Sequence, residues 1–296
     1  MYRLRKWGPA LLLISPSLVA VGIFVYGFLG WNVRVSLSDW QGLRPSYGFV
    51  GGENYAQLAG DGRFITSVEN VVVFTVVFVG GALLVGFGLA WLLERRLRGE
   101  GFFRAAYLFP MAISLIAVGI IWRWLLNNAT GAQQTGLNRL FDSVGLDFLA
   151  NDWFKADRPF AVMAIALAAG WALSGYIMAL FLAGMRGVSD DLREAARVDG
   201  ASERRVFWHV VRPMLLPVLM SAVVILVHIS FKTFDLIFAM DAQSRRIETP
   251  ALYMWFTTFD GFNFNRGAAI ATLLMVGVSV VIVPYIWYSM RAERRK

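Results

Sequence analysis

The chain of 296 residues is 57% hydrophobic and only 16% charged, with a mean hydropathy of +0.57. Soluble domains are about 45–50% apolar and roughly 25% charged, so this composition excludes an ordinary soluble enzyme. The absence of cysteine excludes disulfides, thiolate nucleophiles and cysteine metal sites. The net charge of +8 lies mostly beside apolar stretches, where membrane topology explains it better than nucleic-acid binding does.

Six apolar segments are predicted as transmembrane helices, because a spanning helix needs about 20 predominantly apolar residues. The first of them, within "WGPALLLISPSLVAVGIFVYGFLGW", is longer than the core of a cleaved signal sequence and lacks a small-residue cleavage site. We expect it to be retained. The predicted spans cover residues 9–30, 68–93, 104–126, 159–185, 213–239 and 267–290. The prediction is an all-α integral membrane protein with a single domain over residues 1–296.

The basic residues between the spans predict the orientation, since Lys and Arg are enriched in short cytoplasmic loops. With a cytoplasmic amino terminus, the inside segments carry nearly twice as many Lys and Arg residues as the outside loops. We therefore expect a multi-pass protein of the cell (inner or cytoplasmic) membrane with both termini in the cytoplasm. The inside residues are Arg3, Arg5, Lys6, Arg95, Arg96, Arg98, Arg104, Arg186, Arg193, Arg197, Arg204, Arg205, Arg212, Arg291, Arg294, Arg295 and Lys296.

The sequence lacks motifs for ATP binding or catalysis. A Walker A loop requires a Gly-Lys pair before Ser or Thr, and no lysine of this chain follows a glycine. With no cysteine and only His209 and His228, a metal site would depend mostly on carboxylates. HExxH and GxSxG are also absent. We therefore expect a transport protein with no catalytic residue and no metal, rather than an enzyme.

The cytoplasmic loop of residues 186–212 is predicted to form two short helices. Ser189 is a good N-cap, and the acidic residues Asp190 and Asp191 suit the positive end of a helix. Gly200 ends this first helix, because glycine adopts the left-handed conformation that a sharp exit requires. Ser202 can cap a second helix before span five begins. The apolar residues of the two helices are Leu192, Ala195, Ala196, Val206, Phe207, Val210, Val211 and, at the start of the span, Pro213.

Three interpretations of this loop compete. It can lie flat on the membrane, with Phe207 and Val210 inserted and arginines at the headgroups. It can be a solvated loop, which two capped helices disfavour. It can also be a docking element, whose small alanine face lets a partner approach closely. The residues alone leave the membrane surface and docking equally open.

The stretch "EAARVDGASERRVFWHVVRP" resembles the EAA loop of binding-protein-dependent ABC importer permeases. The family pattern is EAA, three residues, Gly, nine residues and Ile-x-Leu-Pro. Val210 stands for the isoleucine and Arg212 replaces the usual leucine. Other stretches, including "FVGGENYAQL" and "GEGFFRAAYLFPMAISLIAVGIIWRWLL", look like the carbohydrate-importer subgroup of the maltose and glycerol-phosphate type. The matching residues of the loop are Glu194, Ala195, Ala196, Gly200 and Pro213.

The resemblance implies a permease subunit of an ATP-driven sugar importer with the six-helix permease fold. Its expected partners are a second permease subunit, two ATPase subunits and an extracytoplasmic solute-binding protein, within membrane lipid and without nucleic acid. ATP and Mg would be bound by the ATPase, and this chain would bind no cofactor. The first loop helix would be the coupling helix in a cleft of the ATPase, which favours docking. The expected coupling residues are Leu192, Glu194, Ala195, Ala196, Asp199, Gly200, Ala201 and Phe207.

Span five carries the best candidates for a solute pathway. Ser221, His228, Lys232 and Asp235 have helical spacing and predict one polar stripe, and charged groups in a membrane usually face the bundle interior or a water-filled path. Alternatively, Lys232 and Asp235 neutralise each other and only hold helices together. Further candidates are the aromatic residues Phe231 and Phe234, which can stack on sugar rings, and Trp171, Ser174 and Tyr176 on span four.

The segment after span five departs from the family pattern. The family usually reads Leu-Thr-x-Gly-Gly-Pro, but this chain reads "AMDAQSRRIETP", so we expect the outer loop to have its own shape. "PALYMWFTTF" loosely resembles glucose/mannose-type importers and favours a monosaccharide only weakly. The alternative class is a self-sufficient secondary transporter or channel for a small polar solute. Such proteins commonly contain inverted repeats, and the sequence has no convincing internal repeat.

Overall fold

The computed structural model describes residues 2–95 and 98–293, which form helices, turns and one isolated antiparallel bridge between Ser38 and Phe49, without a β-strand. The prediction of an all-α fold is confirmed. Arg96, Arg294, Arg295 and Lys296, which contribute to the predicted cytoplasmic charge, lie outside the described residues.

The helices are α1 (Tyr2–Val21), α2 (Phe28–Ser36), α3 (Glu53–Ala59), α4 (Gly62–Glu94), α5 (Glu100–Leu108), α6 (Leu115–Leu125), α7 (Gly136–Ser143), α8 (Phe160–Arg186), α9 (Asp190–Val198), α10 (Glu203–Val206), α11 (Arg212–Phe231), α12 (Asp235–Asp241), α13 (Pro250–Trp255) and α14 (Phe264–Glu293). Turns of π-helix at Gly22–Gly27 and Phe207–Val211 join α1 to α2 and α10 to α11.

Within the described chain, five helical stretches are long and apolar enough to cross a membrane. A sixth crossing results if α5 and α6 count as one bent span, so the predicted six spans are confirmed with this qualification. The five stretches are Leu12–Ser36, Gly62–Glu94, Phe160–Arg186, Glu203–Phe231 and Phe264–Trp287.

The prediction of one helix over residues 104–126 is wrong, because α5 and α6 meet at an angle of 99°. Pro110 lies in a 3-10 turn, Phe109–Ala112, and Ile113 is extended. A proline inside a helix lacks the N–H donor and clashes with the preceding turn. Ser114 is the N-cap of α6, since its hydroxyl accepts a hydrogen bond from the Ala117 amide at 3.2 Å. The helix end that follows the bend is therefore capped.

The predicted span 213–239 also has different bounds, since the helix begins at Glu203 and ends at Phe231. The hydroxyl of Thr233 donates to the Ile229 carbonyl at 2.9 Å, and the Thr233 carbonyl accepts from the Thr249 hydroxyl at 3.2 Å. Such side-chain bonds compete with the helical ladder. Asp235 starts the separate helix α12, where its carboxylate suits the positive helix end.

Close helix contacts depend on glycine at two crossings. A β-carbon on Gly119 of α6 would lie 2.7 Å from Cβ of Ala239 and 2.9 Å from the Leu236 carbonyl oxygen of α12. A β-carbon on Gly175 of α8 would overlap the carbonyl oxygen of Tyr107 in α5. Small residues let backbones approach closely where helices cross in membranes, so both halves of the bent span are held by glycine contacts.

The chain divides into two compact units, Met1–Gly62 with Tyr253–Val276 and Arg63–Leu252 with Gly277–Lys296. In the first unit, the buried Asn54 amide donates to the carbonyls of Ser36 and Ser38 at 2.9 and 2.8 Å. The Tyr253 hydroxyl donates to Asp61 at 2.6 Å. Burial, and next the Asp61 carboxylate, raise the pKa of this hydroxyl. The second unit contains α9 and the candidate pathway residues.

Candidate functional site

Helix α9 forms as the sequence predicts. The Ser189 hydroxyl accepts a hydrogen bond from the Asp191 amide at 3.2 Å, which confirms the N-cap. At the other end Gly200 has φ of +80°. The Gly200 amide donates to Arg197 at 2.9 Å, and the Ala201 amide donates to Ala196 at 3.0 Å, which is the Schellman pattern. No atom lies within 4 Å of a β-carbon built on Gly200, so backbone conformation alone requires the glycine.

One face of α9 is exposed. Asp190, Glu194 and Val198 follow at intervals of four residues and are all exposed, Val198 to 88%. Residues four apart lie on the same side of a helix. Of the alanine face that the sequence predicts, Ala195 is exposed, whereas Ala196 is half-buried. The surface offered by α9 therefore combines acidic groups with an apolar residue, Val198, that sequence reasoning missed.

Helix α9 is attached to the spanning helices through Arg193. Nη2 of Arg193 lies 2.7 Å from Oε1 of Glu94 at the end of α4 and donates to the Met185 carbonyl of α8, also at 2.7 Å. Both side chains of the ion pair are about four-fifths buried, with 18% and 21% exposed. Arg186 lies 2.8 Å from Glu100 of α5, which also pairs with Arg104. The ends of α4, α5, α8 and α9 are thus held together by ion pairs.

The prediction of a separate second helix before Pro213 is wrong in one respect. Residues Glu203–Phe231 form one continuous helical stretch, and Ser202 makes no side-chain cap hydrogen bond. The turn Phe207–Val211 is π-helical. A π turn accommodates an extra residue and often accompanies an interrupted hydrogen-bond ladder. Since Pro213 cannot donate to the ladder, this wider turn lets the helix continue through it.

The predicted polar stripe does not lie on one helix. Ser221 and His228 belong to α11, Lys232 follows its last residue and Asp235 begins α12. The Ser221 hydroxyl bonds to the Tyr285 hydroxyl at 2.8 Å. His228, Lys232 and Asp235 are exposed. Among the described residues, Lys232 and Asp235 form no ion pair with each other.

The aromatic candidates occupy different surroundings. Phe231 packs against Gly277, where a β-carbon would come within 2.8 Å of its ring. Phe234 stacks on Phe238 at 5.2 Å. Trp171 is exposed and lies edge-on to Trp122 at 5.9 Å. The structure therefore does not gather these rings into one cluster.

The remaining span-four candidates differ in exposure. Ser174 is buried, and its hydroxyl donates to the Trp171 carbonyl of its own helix at 3.0 Å. Tyr176 is half-buried. Of these two, only Tyr176 retains exposed surface.

The loop after α12 is held by an ion pair whose carboxylate is buried. Glu248, only 3% exposed, accepts two hydrogen bonds from Arg63 of α4 at 2.7 and 2.6 Å. The Asn70 amide donates to the carbonyls of Arg246 and Glu248 at 3.1 and 2.8 Å. Arg158 donates to the Asn70 side chain at 2.7 Å. The loop that departs from the family glycines is thus fixed to α4 by arginine and amide contacts.

The chain is similar to known membrane proteins along most of its length. Residues 82–294 match the family described as binding-protein-dependent transport system inner membrane component. The chain belongs to this family. It is 39% identical to a probable ABC transporter permease protein of Pyrococcus horikoshii over 96% of this chain and 97% of that protein. It is 34% identical to the xylose/arabinose import permease protein of Haloferax volcanii over 91% of this chain and 84% of that protein.

The fold of this permease-family chain also occurs in a solved transporter. A chain in the crystal structure of a bacterial alginate ABC transporter, in complex with alginate pentasaccharide-bound periplasmic protein, matches it with a TM-score of 0.81. The match covers 98% of this chain and 97% of that chain at 16% identity. The predicted permease fold is confirmed, and the chain is a multi-pass membrane component.

Sequence reasoning missed the contacts that attach the EAA-like loop of this family member. Glu94 and Arg193 are 99 positions apart, and nothing local in the sequence pairs them. One signal was present, because acidic residues at 94 and 100 interrupt an otherwise basic segment between two predicted spans. Acidic residues among clustered arginines are natural ion-pair partners.

Proposed function

We propose that the chain is one of two permease subunits of an ATP-driven, binding-protein-dependent sugar importer, coupled to a separate ATPase through α9. The observation that carries this proposal is the capped helix α9, exposed on its acidic face and anchored by Arg193 to α4. In the proposal both termini are cytoplasmic, the chain binds no cofactor, and ATP and Mg bind to the ATPase. The partners are a second permease subunit, two ATPase subunits and an extracytoplasmic binding protein.

The proposed mechanism uses α9 as the point where displacement enters the membrane. ATP binding closes the ATPase subunits and carries α9 with them. The ion pair with Glu94 passes the displacement to α4, and the spans then change between inward-open and outward-open states. Such coupling requires that ATP and the binding protein favour one state over the other. A helix capped at both ends transmits displacement better than a flexible loop does.

Charge reversal at Glu194 tests the coupling. Glu194→Lys is expected to lower solute uptake per ATP hydrolysed by about tenfold or more, because typical coupling free energies correspond to 5–150-fold effects. Glu194 is exposed, so the substitution leaves the packing of the chain intact. The measurement is uptake and ATPase activity of the reconstituted complex.

The control is Asp142→Lys, which reverses an exposed charge on α7 away from the loop and should leave uptake per ATP unchanged. Normal coupling in Glu194→Lys would contradict the docking role. Uptake by the purified chain alone, without any co-purifying ATPase, would overturn the proposal and favour a self-sufficient transporter.

We also propose that the break between α11 and α12 lines the solute path. Non-helical backbone within a membrane is tolerated where protein buries it or water lines it. Exposed charges there are costly unless they face a partner or water, and Lys232 and Asp235 are both exposed at the break. A sugar substrate agrees with the name of the Haloferax volcanii relative. His228, Phe231 and Phe234 lie on the same stretch, and Trp171, Ser174 and Tyr176 remain secondary candidates.

Removal of the Asp235 carboxylate tests this path. Asp235→Ala should lower uptake by about 10–100-fold, since hydrogen bonds to charged groups contribute about 1.5–3 kcal/mol. Co-purification with the ATPase should persist. Asp241→Ala, at the other end of α12, serves as the matched control and should transport normally. Full uptake by Asp235→Ala would remove this residue from the pathway.

A further inference from the structure

Two cavities lie side by side where α9 and α10 meet the spanning helices. The first, of about 600 Å³, is lined by apolar side chains of α4, α8 and α11, including Leu84 and Leu216, and by Arg212. The second, of about 680 Å³, is lined by four arginines and two glutamates, including Arg95 and Arg204, together with apolar and aromatic side chains. An apolar groove therefore adjoins a cationic one.

An aromatic cluster forms the wall that both cavities share. Phe87, Phe207 and Trp208 line each of them. The ring of Phe87 lies 6.1 Å from that of Phe207, which meets Trp208 edge-on at 5.9 Å. Trp208 remains 47% exposed. Tryptophan prefers the boundary between hydrocarbon and headgroups, so the shared wall has the chemistry of that boundary.

The positive charge of the cavities is only partly neutralised. Arg193 and Arg197 pair with Glu94 and Glu203. The remaining three lining arginines make no ion pair with a carboxylate among the described residues. They are Arg95, which lies over the Trp91 ring at 4.8 Å, Arg204, and Arg212, which lies over the Trp208 ring at 4.8 Å.

We propose that the two cavities bind one anionic glycerophospholipid of the cytoplasmic leaflet. One acyl chain lies in the apolar groove beside Leu84, and the phosphate meets Arg212, Arg95 and Arg204. Basic pockets between spanning helices on the cytoplasmic side bind anionic headgroups. An apolar helix from a partner subunit would fill the groove but leave three arginines without countercharge, whereas an anionic lipid matches both surfaces. The leaflet assignment depends on the proposed orientation.

The same site gives Arg212 a role. The EAA-like pattern has leucine at this position, and Arg212 is exposed at the mouth of the apolar groove. Stacking on Trp208 holds its guanidinium at the boundary where a lipid phosphate lies. Guanidinium groups bind phosphate in a bidentate manner.

Native mass spectrometry of the purified full chain tests the site. Vesicle-derived phosphatidylglycerol should be retained at least about fivefold more than phosphatidylethanolamine with identical acyl chains. Arg212→Gln should abolish this preference. Arg205→Gln is the matched control, because Arg205 is exposed in the same segment but lines neither cavity. Equal retention of both lipids, or unchanged preference in Arg212→Gln, would overturn the proposal.

A second variant tests the contribution of the apolar groove separately from that of the arginines. Leu84→Trp fills the apolar cavity from an exposed position and should lower phosphatidylglycerol retention while leaving every arginine in place. Retention at the wild-type level would refute the acyl-chain groove. Loss of bound phosphatidylglycerol when the chain assembles with its partners would show that a protein covers the site instead. None of these measurements involves uptake or ATP, so the result is independent of the proposed transport function.

Discussion

Arg193→Ala should uncouple α9 from the spanning helices. Arg193 holds both Glu94 of α4 and the Met185 carbonyl of α8, and its loss leaves a carboxylate that is 21% exposed without its countercharge. Leaving such a group unpaired costs about 1–3 kcal/mol. We expect amide hydrogen exchange across α9 to accelerate, and uptake per ATP to fall by about tenfold or more. Exchange mass spectrometry and transport assays measure the two effects.

Two variants sharpen this experiment. Arg197→Ala removes the neighbouring arginine, whose pair with Glu203 is exposed on both sides and therefore contributes little; it should behave like the wild type. The double variant Glu94→Arg/Arg193→Glu restores the pair in reverse but not the bond to Met185, so partial recovery is expected. Slow, wild-type exchange in Arg193→Ala would show that another contact anchors α9.

Gly175→Ala should destabilise the fold although it adds only one methyl group. Its β-carbon overlaps the carbonyl oxygen of Tyr107, and the next atoms in its way are also backbone. Because backbone cannot rotate away as a side chain can, α5 and α8 must separate. Overpacking of this kind costs about 3 kcal/mol or more. The apparent unfolding temperature and the monodisperse fraction in detergent measure the loss.

The matched controls are Gly80→Ala and Gly88→Ala. Both glycines lie within α4, and no atom comes within 4 Å of a β-carbon built on either. Alanine is the better helix former, so these variants should be unchanged or slightly more stable. If Gly175→Ala unfolds at the same temperature as these controls, the close crossing of α5 and α8 is not required.

The sequence predicts the local features of this protein well and the long-range ones poorly. Apolar length identifies the spans, and Ser189 and Gly200 correctly predict the ends of α9. The sequence remains hydrophobic through Thr233 and therefore does not predict the end of α11 at Phe231. That end depends on hydrogen bonds of Thr233 with the Ile229 carbonyl and the Thr249 hydroxyl, which no local pattern predicts. The bend at Pro110 was not predictable from the proline alone, because membrane helices frequently continue through a proline.

In the candidate site, too, the local features were predictable from the sequence and the long-range contacts were not. The EAA-like spacing marks the residues of α9, because capping and turn conformation are encoded within a few positions. Its attachment was not predictable, since Arg193 meets Glu94 only after two spans have packed. The proposed solute pathway was the least predictable part. The predicted stripe from Ser221 to Asp235 assumed one continuous helix, whereas the helix breaks between α11 and α12.

The length of helix α4 has a mechanical consequence for the proposed importer. At 33 residues it is about 50 Å long, against a hydrocarbon core of about 30 Å. Glu94 contacts α9 at one end, while Arg63 and Asn70 hold the loop that contains Glu248 near the other. A rod tilting by about 5° around its middle moves its two ends by about 2 Å in opposite directions. In the proposed importer, a tilt of α4 would therefore displace the ATPase side and the outside loop in opposite directions.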